Sequence, residues 1–406
     1  MSDLDAFRTE VRDWLAANYP AELKDPKANL DEEAVWGGRK YLTSQDPIKV
    51  WMNRMAQKGW TAPTWPTEYG GGGLSHGQAK VLASEMAKGG YRTPLASFGL
   101  WMLGPVLLEY ANEDQKKHFL PLICRGEIRW CQGYSEPGAG SDLAGLQTRC
   151  EDKGDHWLVN GQKVWTSYAD KADWIFALVR TDTTKKHEGV SFLLIDMKTP
   201  GVEPKPIRLI SGSSPFCETF FTDVKVPKDQ LVGKIGGGWE IAKRLLQYER
   251  QNISGSMVAS GPGGGGGMGS SAGSLEDIAR QYVGLGPDGR LLDGDLRARI
   301  TANKMGSHAF MLTQRRLGEE ARSGGPSAAT SIIKYAGATL GMERNELLVE
   351  AMGLQGLGWE GEGFTQRETD QTKAWLRSKG NSIEGGTSEV NLNVVAKRVL
   401  GLLDHQ

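Results

Sequence analysis

The sequence predicts an α+β protein with an N-terminal helical domain, a central β-barrel-like domain and a C-terminal four-helix bundle. Three observations predict this order. Apolar residues recur at helical spacing in the first third of the chain, short β-rich runs fill the middle, and helical periodicity then returns. We therefore place the domains at residues 1–121, 122–232 and 233–406, and a chain of 406 residues is long enough to bury their cores.

Two stretches predict the helices of the first domain. Four apolar residues near the N-terminus share the spacing of one helical stripe: Phe7, Val11, Trp14 and Leu15. The stretch "WMLGPVLLEYANEDQKKHFLPLI" has the same character and follows a Gly-rich turn region, "WPTEYGGGGLSHG". Both stretches are typical of amphipathic helices.

Strand-like runs define the central domain. In "HWLVNGQKVWTS" the pair Asn160-Gly161 separates two short β-rich runs. Because Asn-Gly is a strong signal for a two-residue turn, we predict a hairpin there. Three further β-rich runs follow: "DWIFALVRTD", "GVSFLLIDM" and "ETFFTDVKVP".

The third domain returns to helical periodicity, with one interruption. Residues 260–274, "SGPGGGGGMGSSAGS", cannot form a stable helix, because each Gly costs about 1 kcal/mol relative to Ala in a helix. We expect a flexible loop between two helices. The alternative, a phosphate-binding loop, has no Gly-Lys-Ser/Thr motif and no preceding strand to support it.

Composition argues against several classes of function. The net charge of −1 gives no reason to expect a nucleic-acid partner or an anionic membrane. No uncharged apolar run is long enough to span a bilayer, and the acidic N-terminus does not resemble a secretion signal. The six histidines never occur at HxxxH spacing, so we expect no metal site. Four cysteines without a CxxC pair favour a reduced, cytoplasmic protein.

One loop has the composition of a ligand-binding segment. In "CQGYSEPGAGSDLAG", Cys131 to Gly145, small residues allow backbone amides to approach a ligand closely. Ser135 and Ser141 add hydroxyl groups. Such a loop suits the polar edge of a planar cofactor better than a hydrophobic core.

Further motifs follow this loop in a set order: "NGQKVWTS", "PGVEPKPI", "FFTDVKVP", "GGGWEIAKRLLQYER" and "GGTSEVNLNVVAKRVLGL". With these motifs, the chain resembles the acyl-CoA dehydrogenase family over nearly its whole length, from "FRTEVRDWL" to "RVLGLL". The family fold has an N-terminal helical domain, a central β domain and a C-terminal four-helix bundle. That fold agrees with the periodicity described above.

The resemblance implies FAD, bound non-covalently between the β domain and the C-terminal helices. The implied cofactor contacts are Gln132, Tyr134, Ser135, Gly140, Ser141, Trp165, Ser167, Gly353, Gly386, Thr387 and Glu389. The implied substrate contacts are Ser141 and Arg250, although a solvated helix charge is the alternative for Arg250. From the residues alone, core packing of the β domain is the favoured interpretation of Trp165, and the resemblance favours cofactor contact instead.

The implied reaction needs a base that removes the proton alpha to a thioester while a hydride leaves the beta carbon. In the short- and medium-chain branch, that base is a Glu immediately before "GTS" of the C-terminal turn, and here this residue is Gly385. The helix "GWEIAKRLLQYERQN" offers a replacement, because Glu249 continues the apolar stripe of Ala242, Leu245 and Leu246. A carboxylate on a buried stripe is costly unless it is partnered or functional.

The long-chain and isovaleryl-CoA dehydrogenase branch carries its base on this helix, immediately before an Arg, and has Gly at the C-terminal turn. "YER", Tyr248 to Arg250, together with Gly385 resembles both features. We therefore predict Glu249 as the base and the Gly385 amide as the donor to the thioester carbonyl. Two alternatives stay open: Glu384 as the base, or a structural ion pair for Glu249.

Parts of the second half differ from the family pattern. Many members carry an Arg that reaches the FAD of the neighbouring subunit; this chain has "GPDGRLLDGDLRARI", where Arg290 and Arg297 are both candidates. The turn reads "SEVNLN" where "SEIQRN" is common, and Glu350 replaces a frequent Gln near the segment "GLQGLG". Since some related chains are unequal partners in heteromeric enzymes, a heteromer stays open.

We expect an FAD-dependent acyl-CoA dehydrogenase of lipid metabolism (β-oxidation) that forms the trans-2-enoyl-CoA and passes electrons to an electron-transfer flavoprotein. A homodimer or homotetramer is the expected assembly. Two alternatives remain: an accessory subunit of a heteromeric acyl-CoA dehydrogenase, or a flavin oxidase or monooxygenase on the same fold. Glu249 argues against the oxidase, because such members commonly lack the catalytic carboxylate. The altered C-terminal half favours branched, long or polycyclic acyl groups.

Overall fold

The computed structural model describes residues 3–260, 274–324 and 330–403. The chain divides into two compact units. The first comprises Met1–Ile207 and Pro215–Tyr248, and the second comprises Arg208–Ser214 and Glu249–Gln406. Most of the predicted Gly-rich loop, residues 261–273, lies outside the described residues.

The first unit opens with helices α1 Asp3–Asn18, α2 Pro47–Gln57, α3 His76–Lys88, α4 Gly104–Tyr110 and α5 Glu113–Cys124. In α1, Val11 and Leu15 are fully buried, while Phe7 and Trp14 pack partly buried against the same core. The predicted apolar stripe is therefore confirmed. Helix α5 begins at a capping box, in which Asn112 and Gln115 satisfy each other's backbone amides.

The middle of the chain forms an eight-stranded sheet. Its strands are β1 Trp130–Gly133, β2 Arg149–Asp152, β3 His156–Ser167, β4 Trp174–Arg180, β5 Val190–Asp196, β6 Val202–Ile207, β7 Phe216–Pro227 and β8 Leu231–Val232. The order is β6-β7-β3-β2-β4-β5-β8, with β1 beside β4. The pairs β1–β4 and β2–β4 are parallel, and the others are antiparallel.

The predicted hairpin at Asn160-Gly161 is wrong, because both residues lie inside the single strand β3. The register against β7 shifts between Val159 and Gly161, which marks a bulge. Asn160 bonds across the sheet to Asp223, donating from Nδ2 at 3.0 Å and accepting the Asp223 amide at 2.8 Å. A Cβ at Gly161 would stand 2.7 Å from Thr148 Cα, so the glycine permits close packing rather than a turn.

The sheet has an apolar core on each face. On one face, Phe176 and Phe192 stack with their ring planes 9° apart, and the core they join includes side chains of α4, α5 and the start of α6 Gly238–Ser260. The other face buries side chains of β1 to β5 and β7 together, among them Val159, Ile175 and Val224. The sheet is thus the scaffold of the first unit.

The second unit is helical. Beyond α6 it contains α7 Leu275–Tyr282, α8 Gly294–Gly324, α9 Thr330–Met352, α10 Gln366–Ser378 and α11 Ser388–Val394. Helix α9 contacts α7, α8, α10 and α11 and so forms the centre of this unit. Helices, a sheet and helices follow one another along the chain, which confirms the predicted α+β class.

Candidate functional site

The ligand-binding loop predicted from the sequence starts at the end of β1, in the first unit. Gln132 lies opposite Phe176 in the parallel pair of β1 and β4 and is partly exposed. Tyr134 is buried, with its ring edge-on to Phe176 and Phe192 at centroid distances of 6.2 and 6.4 Å. The loop therefore begins at a tyrosine that is packed against two buried phenylalanines of the sheet.

The loop folds back on itself beyond Tyr134. Glu136 and Ala139 exchange both backbone hydrogen bonds, at 3.1 and 3.0 Å. The Ser135 carbonyl accepts the Val164 amide at 2.9 Å, which ties the loop to β3. Gly140 and Ser141 are exposed, and a Cβ at Gly140 would meet no atom within 4 Å. On the outer side of the loop the backbone is thus exposed to solvent.

Two charged side chains lie buried beneath this loop, and sequence reasoning did not identify them. Lys163 of β3 is fully buried and donates from Nζ to the Glu136 carboxylate at 2.7 Å and to the Tyr134 carbonyl at 3.1 Å. Burial lowers the pKa of Lys163 to about 8, against the opposing effect of Glu136. The available signal was a Lys on a strand position that alternation places inside, but one sequence does not reveal its partner.

Trp165 lies at the second predicted contact segment, on a bulge of β3 between Lys163 and Thr166. Its side chain is 54% exposed and its φ is +61°, in the left-handed region. The alternative of ordinary core packing is therefore wrong. Thr166 is buried, and its hydroxyl shares a hydrogen bond with the Thr219 hydroxyl, with 2.7 Å between the two oxygens. Ser167 is half-buried.

Helix α6 carries the predicted base. Ala242 and Leu245 are buried and Leu246 and Glu249 are half-buried. The residues predicted for the opposite side are all exposed: Glu240, Lys243 and Gln247. The predicted orientation of this helix is therefore confirmed. Arg250 belongs to α6, but its side chain lies outside the described residues.

Glu249 lies close to the C-terminal turn within the second unit. Gly385 has φ +66° and Gly386 has φ +102°, both in the region that favours glycine. A Cβ built on Gly385 would stand 4.0 Å from Glu249 Oε1. The Glu249 carboxylate of α6 therefore lies beside Gly385, the position at which the short- and medium-chain branch described above carries its Glu.

The rival carboxylate, Glu384, is exposed and forms an ion pair with Arg377 at 2.6 Å. Lys334 of α9 donates to the Asn381 carbonyl, and its ammonium also lies near Glu384 and Glu389. Burial lowers the pKa of Lys334, while those two carboxylates oppose the change. Glu384 is thus part of a charged network on the outside of the turn.

The remaining predicted contacts lie around helix ends of the second unit. Thr387 caps α11 by accepting the Val390 amide at 3.1 Å, and Glu389 is exposed in the first turn. The Asn391 side chain donates from Nδ2 to the Gly386 and Thr387 carbonyls. Gly353 follows α9 with φ +57°, and its Cβ would meet no atom within 4 Å. The predicted site residues thus fall into one group per unit.

Three residues of the divergent segments have partners of their own. Arg290 pairs with Asp288 at 3.7 Å, Arg297 donates to the Leu291 carbonyl at 3.5 Å, and Glu350 pairs with Arg299 at 2.6 Å. None of these contacts selects Arg290 or Arg297 as a cofactor ligand.

Two kinds of feature are absent from the described residues. No set of three or more His, Cys, Asp or Glu side chains there is arranged to hold a metal ion. Within the same residues, no helix combines the length and apolar character that crossing a membrane requires.

Family models match three consecutive parts of the chain. The N-terminal domain of acyl-CoA dehydrogenase matches residues 2–127, its middle domain residues 131–224 and its C-terminal domain residues 286–400. Acyl-CoA dehydrogenase IpdE1 of Mycobacterium tuberculosis (strain ATCC 25618 / H37Rv) is 33% identical over 408 residues, covering 99% of this chain and 98% of the relative. Acyl-CoA dehydrogenase FadE34 of the same organism is 35% identical over 350 residues, covering 86% of this chain and 45% of that protein.

Solved structures resemble the chain over its full length. The Tcur3481-Tcur3483 steroid ACAD has a TM-score of 0.73 at 26% identity, covering 100% of this chain and 99% of that one. The ChsE4-ChsE5 complex from Mycobacterium tuberculosis has a TM-score of 0.71 at 26% identity, covering 100% and 99%. The chain therefore belongs to the acyl-CoA dehydrogenase family and is an oxidoreductase that acts on acyl-CoA.

Proposed function

We propose that this chain is an FAD-dependent acyl-CoA dehydrogenase in which Glu249 is the catalytic base. One observation supports this assignment above the others: a Cβ at Gly385 would stand 4.0 Å from Glu249 Oε1. The Glu249 carboxylate and the Gly385 backbone are therefore neighbours within the second unit. Glu384, in contrast, is exposed and paired with Arg377.

The chemistry needs a carboxylate and a hydrogen-bond donor at the same thioester. A proton alpha to a thioester is too weakly acidic for rapid removal unless the developing oxyanion is stabilised by fixed donors. The Gly385 amide is the proposed donor, and the half-buried Glu249 carboxylate is the proposed proton acceptor. Because Gly385 carries no side chain, a substrate carbonyl can approach its backbone directly.

The residues of the first unit fit a flavin. About half of the Trp165 side chain is exposed, and its backbone is in the strained left-handed region. Gly140 and Ser141 are exposed, a few residues after the buried Tyr134, and a Cβ at Gly140 would meet no atom within 4 Å. Gln132, Ser135 and Ser167 complete the proposed contacts of this unit. Gly353, Gly386, Thr387 and Glu389 are the proposed contacts of the second unit. When bound, FAD would accept the hydride that leaves the beta carbon of the acyl chain.

The proposed substrate class is a CoA thioester of a bulky, polycyclic or branched acyl group. The support is that two similar solved structures at 26% identity are the Tcur3481-Tcur3483 steroid ACAD and its G363A variant. The proposed electron acceptor is an electron-transfer flavoprotein, and the product is the trans-2-enoyl-CoA.

The test is anaerobic bleaching of the purified protein. A yellow preparation that loses its flavin absorbance on mixing with a CoA thioester supports the dehydrogenase. The panel contains straight-chain, branched and steroid-side-chain thioesters, and the largest rate is expected for the last class. A yellow protein that no thioester of the panel bleaches contradicts the proposal.

A second proposal concerns assembly: this chain associates with a further acyl-CoA dehydrogenase subunit, identical or not. The support is the ChsE4-ChsE5 complex among the similar structures, and the exposure of Leu354 (83%) and Leu357 (74%) beside Gly353. Light scattering of the purified chain tests it. A colourless monomer that becomes yellow only with a homologous subunit supports a heteromer, and a yellow dimer or tetramer supports a homomer.

A further inference from the structure

A buried ion pair lies directly beneath the open loop of the first unit. Lys163 is 0% exposed and Glu136 is 7% exposed. Lys163 Nζ donates to Glu136 Oε1 at 2.7 Å, and Glu136 also accepts the Gln147 amide at 2.6 Å and the Thr148 amide at 2.8 Å. One carboxylate therefore joins the start of the loop to the residues that follow its end.

A second buried cation holds the far end of the same loop. Arg180 of β4 is 6% exposed. Its guanidinium donates to the Leu146 carbonyl at 3.1 Å and to the Ala144 carbonyl at 2.6 Å. Lys163 holds the Tyr134 carbonyl at 3.1 Å in the same way. Charged side chains thus hold both ends of the segment between Tyr134 and Thr148.

A buried ion pair of this kind adds little to the stability of a protein by itself. Replacing a buried ion pair by apolar residues is often neutral or stabilising by about 1–4 kcal/mol, because desolvation of both charges offsets their attraction. Its benefit is a single loop conformation, since each charged group fixes particular backbone atoms. The backbone groups held in this way belong to Tyr134, Ala144, Leu146, Gln147 and Thr148. The exposed Gly138, Gly140 and Ser141 lie in the segment between them.

We propose that Lys163 and Glu136 are positioning residues that hold the loop from Ser135 to Ser141 in the conformation that binds FAD. This inference rests on the proposed function, because FAD is the ligand assigned to the loop. Neither side chain needs to touch the cofactor. Both act through the backbone: Lys163 through the Tyr134 carbonyl, and Glu136 through the Gln147 and Thr148 amides.

Protonation of Lys163 gives the proposal a measurable signature. The charged groups that face Lys163 are Glu136 and Arg180, and Arg180 in turn lies near Asp182. Burial lowers the pKa of Lys163 to about 8. Above that pH, Glu136 keeps its charge while Lys163 loses its own, so the carboxylate is buried without its main partner and the loop loosens. FAD affinity should then decrease.

The first experiment measures the FAD dissociation constant of the wild-type protein from about pH 6.5 to about pH 9.5, by flavin fluorescence. We expect the dissociation constant to rise about tenfold with an inflection near pH 8. Glu136→Gln removes the acceptor charge, so its dissociation constant should be about tenfold higher than that of the wild type at pH 7, without that inflection. Glu85→Gln is the matched control, since Glu85 is 5% exposed and paired with Arg8 and Arg12 of α1.

A second measurement needs no cofactor. Hydrogen exchange of the cofactor-free protein should show faster exchange at Gln147 and Thr148 in Glu136→Gln than in Glu85→Gln. Equal exchange in both variants, or an FAD affinity and pH profile that Glu136→Gln leaves at wild-type values, would overturn the inference. A wild-type protein that binds no FAD, either alone or with a homologous subunit, would instead contradict the proposed function, while the exchange measurement would still decide whether the pair holds the loop.

Discussion

Trp165 combines two properties that a structural tryptophan rarely has. It is 54% exposed, and its backbone has φ +61°. A non-glycine residue in that region costs about 1–3 kcal/mol and persists only where the surrounding structure holds it. The buried neighbours Lys163 and Thr166 supply that constraint. From exposure and strain together we propose that this side chain is placed to contact a ligand.

We predict that Trp165→Gly separates binding from stability. The variant relieves backbone strain of about 1–3 kcal/mol, which offsets the loss of the buried half of the indole and of its edge-on contact with Phe216, so the unfolding temperature of the cofactor-free protein should change little. Its FAD affinity should fall by about tenfold or more, because an aromatic stacking surface is lost. Thermal unfolding and fluorescence titration measure the two effects. Lower stability with unchanged FAD affinity would show that the indole is structural.

Sequence reasoning succeeded at single residues where periodicity decides the environment. Glu249 was predicted on the buried side of its helix, and the buried Ala242 and Leu245 beside the exposed Lys243 confirm that orientation. It missed Lys163 and Glu136, which are 27 residues apart in the sequence and meet only through the fold. Periodicity describes one element, and it does not pair residues of different elements.

At the scale of elements, strand β3 departs from its sequence signal. Asn-Gly favours a tight turn, but β3 continues through it because β2 and β7 pair on either side. Gly161 then lies against Thr148, where a Cβ would stand 2.7 Å from the Thr148 Cα. Tertiary pairing thus overrides a local turn signal, and a single sequence does not contain that information. The order of helices and strands was predictable because it depends on local periodicity.

We predict that Gly161→Ala destabilises the protein by about 1–3 kcal/mol, because the added methyl overlaps backbone atoms that cannot move independently. Gly154→Ala is the control. The φ values of Gly161 (+152°) and Gly154 (+90°) are both unfavourable for Ala, but a Cβ at Gly154 would meet no atom within 4 Å. Urea unfolding of both variants isolates the cost of the overlap. Equal losses would mean that backbone conformation, and not packing, requires glycine at 161.

At the scale of the whole molecule, three ion-paired carboxylates, one buried and two half-buried, make stability depend on pH. Burial raises the pKa of Glu136, Glu33 and Asp196, but their cationic partners outweigh it, and all three pKa values lie below the ordinary range. The partners are Lys163 for Glu136, Arg129 and Lys171 for Glu33, and Arg39 for Asp196. As the pH falls, these carboxylates are therefore protonated in the unfolded chain before they are protonated in the folded one.

The resulting stabilisation is complete above the unfolded pKa values, at about pH 5, and is lost as the pH falls through the folded values. We predict that the free energy of unfolding decreases by about 1–3 kcal/mol between pH 5 and pH 3.5. Urea unfolding at those pH values measures it, and Glu33→Gln should show a smaller decrease. A free energy that does not change over this range would contradict the assigned ion pairs.

The family assignment leaves one claim about this chain to test above all: that Glu249, and not Glu384, removes the alpha proton. Anaerobic rapid mixing of FAD-loaded Glu249→Gln and Glu384→Gln with a CoA thioester that bleaches the wild type decides it. We predict that flavin reduction slows about a thousandfold or more in Glu249→Gln and changes by less than about threefold in Glu384→Gln, with FAD bound in both. Fast reduction in Glu249→Gln together with loss of reduction in Glu384→Gln would contradict the account.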